Sequence, residues 1–195
     1  MEINDLGKEI AIGLLNTGVE GGYGSVSCST AGDYPSMGCQ QIEGIGGRGD
    51  ELLNAITGGD HYVGRTYSDI EAAGELSSLA ALLDSAEGQK AQMTILQRDT
   101  VIYAQDCINA GLTDARCVIY GGMWCPTSQY IVGLFIQHRI ERGYEIAANL
   151  ETLNQTFYDE YADAADCSSY AESYQNRAQS TYSYVSSLDL SAYGI

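Results

Sequence analysis

Basic residues are scarce in this chain: nine Lys and Arg stand against 26 Asp and Glu in 195 residues, a net charge of −17. With no basic footprint to meet phosphates, nucleic-acid binding is disfavoured. The acidity serves solubility and repels anionic polymers. Histidine is limited to His61 and His138, and no pair of the six cysteines has CxxC spacing. A zinc site is therefore not expected, and the reading includes no metal and no cofactor. Proline occurs only at Pro35 and Pro126, so long helices are permitted over most of the chain. No apolar run approaches the roughly 18 residues of a membrane span. The longest, residues 130–136, is far too short. The opening residues, Met1-Glu2-Ile3-Asn4-Asp5, lack the basic and apolar regions of a signal peptide.

What is present describes a globular chain: 45% of residues are hydrophobic and 18% charged. The length suits a single domain, 1–195, with the C-terminal helix, 168–190, at its periphery. The expected fold is mainly α, an α+β arrangement in which a helical bundle carries a small β-hairpin region near residues 24–45. Ile3, Leu6, Ile10 and Leu14 recur at helical spacing, which predicts a helix over 4–19 stopped by Gly21, Gly22 and Gly24. Residues 23–45 are rich in Gly, Ser, Thr and Asp with isolated apolar residues, and read as short strands and turns.

Beyond Gly49 nearly everything reads as helix. Segments are predicted over 50–56, over 68–83 with Ser68 and Glu71 at capping-box spacing, and over 88–110. Thr113 or Asp114 caps a helix through Trp124, and Pro126 starts another over 127–142 that is apolar nearly all round. Two amphipathic helices follow, with stripes Leu150, Leu153, Phe157, Tyr161 and Tyr170, Tyr174, Ala178, Tyr182, Val185. Cys107, Cys117 and Cys125 read as small core hydrophobes. Cys28 and Cys39 flank a segment containing Gly and Pro, and either face each other across a hairpin or stay reduced.

One constellation carries chemistry. Glu20 follows the first predicted helix, whose carbonyl end disfavours an ionised carboxylate. A carboxyl kept protonated near neutral pH is what a glycosidase needs as general acid. Asp33 follows thirteen residues later in the polar turn Thr30-Ala31-Gly32-Asp33-Tyr34, where it can stay ionised and activate water. In Ser36-Met37-Gly38-Cys39-Gln40-Gln41, Ser36 is suited to holding a water and Gly38 to close approach of a sugar. Gln40 or Gln41 can bind hydroxyl or N-acetyl groups. Tyr23, Tyr34, Tyr62 and Tyr67 lie near this region in sequence and are candidates for stacking on sugar rings. Glu43 and Asp50 are the alternative second acids.

The residues Glu20-Gly21-Gly22-Tyr23-Gly24-Ser25-Val26-Ser27, Gly32-Asp33 and Ser36-Met37-Gly38-Cys39-Gln40-Gln41 resemble the lysozyme-like superfamily, in its phage-endolysin and goose-type or transglycosylase branches. That pattern is a Glu after a helix, a hairpin bearing an acid, then a Ser/Thr-x-Gly-x-x-Gln-like turn. The resemblance implies a muramidase-type enzyme acting on the peptidoglycan glycan strand, Glu20 as acid, and Asp33 or Ser36 positioning water. It also implies a phage or bacterial protein, released by lysis or carried on a virion, and allows an anhydro product in place of hydrolysis. Two other functions compete. A chitosanase-like enzyme would attract its polycationic substrate through the acidic surface. A catalytically inactive wall-binding or virion structural module would fold without cutting any bond.

Overall fold

The computed structural model describes residues 1–17, 21–29 and 31–193. Among them are α1 (Ile3–Thr17), β1 (Val26–Cys28), β2 (Pro35–Met37), β3 (Ile42–Glu43), α2 (Gly47–Asn54), α3 (Tyr67–Ala72) and α4 (Leu76–Asp84). They are followed by α5 (Ala86–Asn109), α6 (Ala115–Glu141), α7 (Leu150–Ala164) and α8 (Ala171–Ser187). The fold is mainly helical, with one small antiparallel sheet in the order β1-β2-β3. Two compact units emerge, one of Met1–Val19 with Gln97–Ile195 and one of Glu20–Leu96. Among the described residues no helix is long and apolar enough to cross a membrane.

The helical unit is built around aromatic rings. Trp124 is fully buried, with its ring 4.8 Å from those of both Phe157 and Tyr161, and Phe135 also lies 4.8 Å from Phe157. Removing such a side chain typically costs about 3–5 kcal/mol. Leu6, Ile10 and Leu14 bury the stripe of α1 against α6, where Gly122 leaves the space that Ile10 occupies. The final helix, α8, packs on α7, α6 and α1 and buries Ala178, Thr181 and Val185. Asp114 caps α6 through its carboxylate, which accepts from the amides of Arg116 and Cys117. Pro126 lies inside α6, and the break falls two residues later, at Ser128, whose backbone is extended at φ −172° and ψ 103°. Ser128 Oγ then accepts from Ile131 N at 3.4 Å and restarts the helix.

The second unit places Met37, Ile42, Leu52, Leu53, Ile70 and Leu79 in one core. The helix expected over 68–83 is two helices. Gly74 sits at φ +71°, Glu75 N donates to Ile70 O and Gly74 N to Glu71 O. These two bonds form a Schellman stop, which only a residue comfortable at positive φ permits. The cap is also displaced from the expected Ser68 to Thr66, whose Oγ1 accepts from Asp69 N at 3.0 Å.

All six cysteines are free, Cys28 exposed and Cys39, Cys107, Cys117 and Cys125 buried. The clamp considered between Cys28 and Cys39 is absent: Cys28 pairs in register with Pro35, while Cys39 lies in the buried turn after β2. Burial pushes the Cys117 thiol up to about 12, and the thiolate is the reactive form. Native protein is expected to alkylate first at Cys28, with the four buried thiols reacting only after denaturation. Intact mass after timed alkylation checks this, and a Cys28–Cys39 linked peptide from oxidised protein would contradict it.

Candidate active site

Strand alternation divides the small sheet into an apolar and a polar face. Val26, Met37 and Ile42 stand in register on the face that meets the core. Ser27, Ser36 and Glu43 stand in register between them and form a polar row across all three strands. Gln41, at φ 52° and ψ 46°, folds back over this row. Its Oε1 accepts from Ser36 Oγ at 3.1 Å and Ser27 Oγ at 3.3 Å, while its Nε2 donates to Gly38 O at 3.3 Å. Glu43 is held by Ser29, whose Oγ donates to Glu43 Oε1 at 2.6 Å.

A cleft of about 350 Å³ opens at this end of the sheet, lined by Gln40, Gln41, Ile42, Glu43, Ile45, Gly47 and Arg48. Arg48 enters it from the first turn of α2. Its neighbour Gly49 sets that position, because a Cβ at Gly49 would lie 2.3 Å from the Glu43 carbonyl oxygen. The glycine thus lets the start of α2 press directly on β3, placing a cation and a carboxylate on one cleft wall.

Behind the polar row, Gln92 of α5 is fully buried and joins three backbone segments. Its Oε1 accepts from Cys39 N at 3.0 Å, and its Nε2 donates to Leu83 O at 2.9 Å and Tyr23 O at 3.2 Å. The space expected at Gly38 for a sugar is filled by this side chain: a Cβ at Gly38 would lie 2.1 Å from Gln92 Oε1. Gly38 therefore makes room for Gln92 and so sets the position of the turn.

The expected site residues divide accordingly. Ser36, Gln40 and Gln41 come together at the polar row and cleft. Asp33 is spent elsewhere: its Oδ1 accepts from both Ser68 N and Ser68 Oγ at 3.0 Å, anchoring the start of α3. Tyr23 is half-buried, its backbone oxygen held by Gln92, and burial raises the pKa of its hydroxyl. Tyr34 is half-buried over Gly32, where a Cβ would lie 2.6 Å from its ring. Tyr62 is 6% exposed within the core, so it offers no face for stacking. Glu20 lies outside the described residues. Its chain neighbour Gly21 is described, and a Cβ there would lie 3.4 Å from Gln41 Nε2. Among the described residues no group of three or more His, Cys, Asp or Glu is placed to hold a metal ion.

No family model, curated protein or solved structure matches this chain. The residues themselves carry the functional argument. Arg48 and Gln92 are marked by no sequence motif, and Ser27 stands in the motif after Glu20 with no role of its own. Glu43, one of two alternative second acids in the sequence, is the one that shares a wall with Gln41 and Arg48.

Proposed function

We propose that the chain is a lysozyme-type glycosidase that cuts the glycan backbone of peptidoglycan, acting at the bacterial wall after lysis or from a virion. The observation that carries this reading is the polar row Ser27, Ser36 and Glu43, bridged by Gln41, beside which Gly21 brings the chain directly after Glu20. In this reading Glu20 gives its proton to the glycosidic oxygen as the bond to the anomeric carbon breaks. A water adds its oxygen to that carbon and passes a proton to the Glu43 carboxylate. Ser36 and Gln41 orient the water, and Glu43 replaces Asp33 as the second carboxylate. Arg48 lines the same cleft. In a protein of net charge −17 it is also a local cation for an anionic wall fragment.

Chitosan is the second substrate to test, since that same charge attracts a polycation. Wild type, Glu43→Gln and Asp33→Ala are incubated with purified peptidoglycan and with chitosan, and product ends are identified by mass spectrometry. Wild type is expected to release reducing ends from peptidoglycan. Glu43→Gln should lower turnover about 100-fold or more, the scale of a general base. Asp33→Ala should stay within a few-fold in activity while losing about 1–2 kcal/mol of stability, because it removes a helix anchor. Anhydro ends with Glu43→Gln near wild type would replace hydrolysis by an intramolecular sugar attack. Failure of wild type to cut either polymer would leave a structural module.

A further inference from the structure

We infer that the helical unit carries a separate saccharide-binding cleft between α5 and α6, formed by Asp106, Asn109, Gln129, Tyr130, Gly133 and Gln137. This site goes beyond the catalytic proposal and uses none of its residues. The cleft is a solvent-open depression of about 260 Å³, slightly below the roughly 300 Å³ at which small-molecule pockets usually begin. It suits one ring of a longer chain better than a whole ligand.

Three features point to a sugar. The first is the break at Ser128, after which the helix restarts and carries Tyr130 outward. At 75% exposure Tyr130 is the most exposed large hydrophobic side chain among the described residues. Gly133 and Gln137 follow it at helical spacing on the same face, so an aromatic platform borders the cleft.

The second feature is Gly133. Glycine is a poor residue for a helix interior, and no packing neighbour requires it here, since a Cβ would meet nothing within 4 Å. The room it leaves opens into the cleft.

The third is the lining. Gln129 Nε2 donates to Asp106 Oδ2, Gln105 Nε2 donates to Asn109 Oδ1 at 3.0 Å, and Gln137 Nε2 donates to Glu141 Oε1 at 2.9 Å. Each amide is thereby oriented, which leaves the Asn109 amino group as donor and the Gln129 and Gln137 oxygens as acceptors. Fixed donors and acceptors beside an aromatic face match the hydroxyls and C–H face of a pyranose. Asp106 is the one carboxylate of the lining and no cation joins it, so an anionic ligand is disfavoured. The ligand class is a neutral oligosaccharide of hexoses or N-acetylhexosamines. For so acidic a protein, such a cleft supplies wall affinity that net charge opposes.

The test is titration of the ¹⁵N-labelled Glu20→Gln chain with tri-N-acetylchitotriose and with cellotriose, so that no sugar is consumed. Saturable shifts are expected at Asn109 and across 129–137 at millimolar or lower sugar. Tyr130→Ala should weaken binding about tenfold or more, equivalent to about 1.4 kcal/mol. Gly133→Leu should do the same with unchanged circular dichroism, since it fills the cleft and improves the helix. Shifts confined to 36–48, or parental affinity in both variants, would overturn the inference. So would sugar-free, concentration-dependent broadening through Tyr130 that Tyr130→Ala abolishes, which would make this face a contact between copies. Glycan cleavage without binding at Tyr130 would defeat this inference alone, and binding there without cleavage would defeat only the catalytic proposal.

Discussion

Glu20→Gln is expected to yield a folded protein that has lost glycan cleavage by about 10²–10⁴-fold, the usual contribution of a general acid. Glutamine keeps the size of the side chain and its capacity for hydrogen bonds but has no proton to give a leaving oxygen. The loss should therefore depend on the leaving group. An aryl oligosaccharide, whose phenolate departs without a proton, should be cut by the variant far more nearly as by wild type than peptidoglycan is. A general acid acts only while protonated, so activity that needs it falls as pH rises through its pKa. The alkaline limb of the pH–rate profile should accordingly flatten in the variant. Equal losses on both substrates would assign Glu20 a structural part. Retention of most wild-type activity on peptidoglycan would remove it from the chemistry.

The helices were legible because periodicity reports burial. The stripe Leu6, Ile10, Leu14 and the rings Phe157 and Tyr161 are buried where their spacing places them. Of the two caps the sequence offers, Thr113 and Asp114, it is Asp114 that holds the helix start, and a cap is legible because it acts over only a few residues. Calling 68–83 one helix failed at Gly74, since a glycine inside a periodic stretch does not by itself reveal positive φ. The division into two units left no mark because its boundary runs through the continuous helix α5.

The site was harder to read, and the reason is sequence distance. Asp33 looked like an isolated acid in a polar turn, but its partner Ser68 lies 35 residues away. Gln92 reaches Cys39 across 53 residues and Tyr23 across 69, and one polar residue in a long helix carries no sign of such partners. Glu43 joins Ser27 and Ser36 only through register. Strands of three, three and two residues are too short for alternation to fix that register. The motif around Ser36 was therefore visible in sequence, while the side of the sheet it faces and the acid beside it required the fold.

The second large effect concerns stability. Gly38→Ala is expected to destabilise the unit Glu20–Leu96 by about 3–6 kcal/mol, a large part of the 5–15 kcal/mol typical of a whole domain. Two costs add. At φ +72° an L-residue loses about 1–2 kcal/mol to the clash of Cβ with its own backbone. The added methyl would also lie 2.1 Å from Gln92 Oε1. Gln92 cannot simply swing away, because it is fully buried and bound to Cys39 N, Leu83 O and Tyr23 O. Moving it leaves buried backbone groups unpaired, at about 1–3 kcal/mol each. Gly58→Ala separates the two costs: Gly58 is left-handed at φ +82° and ψ 1° but has nothing within 4 Å of a Cβ, so it should lose only the backbone part. Replacing Gln92 by Ala first should make Gly38→Ala cheaper, a coupling that a double-mutant cycle measures directly. Because two units need not unfold together, the readout is hydrogen exchange at the amides of Met37 to Ile42. Protection there should fall far more in Gly38→Ala than in Gly58→Ala. Equal losses in the two variants would show that Gln92 yields freely and does not hold the turn carrying Gln41.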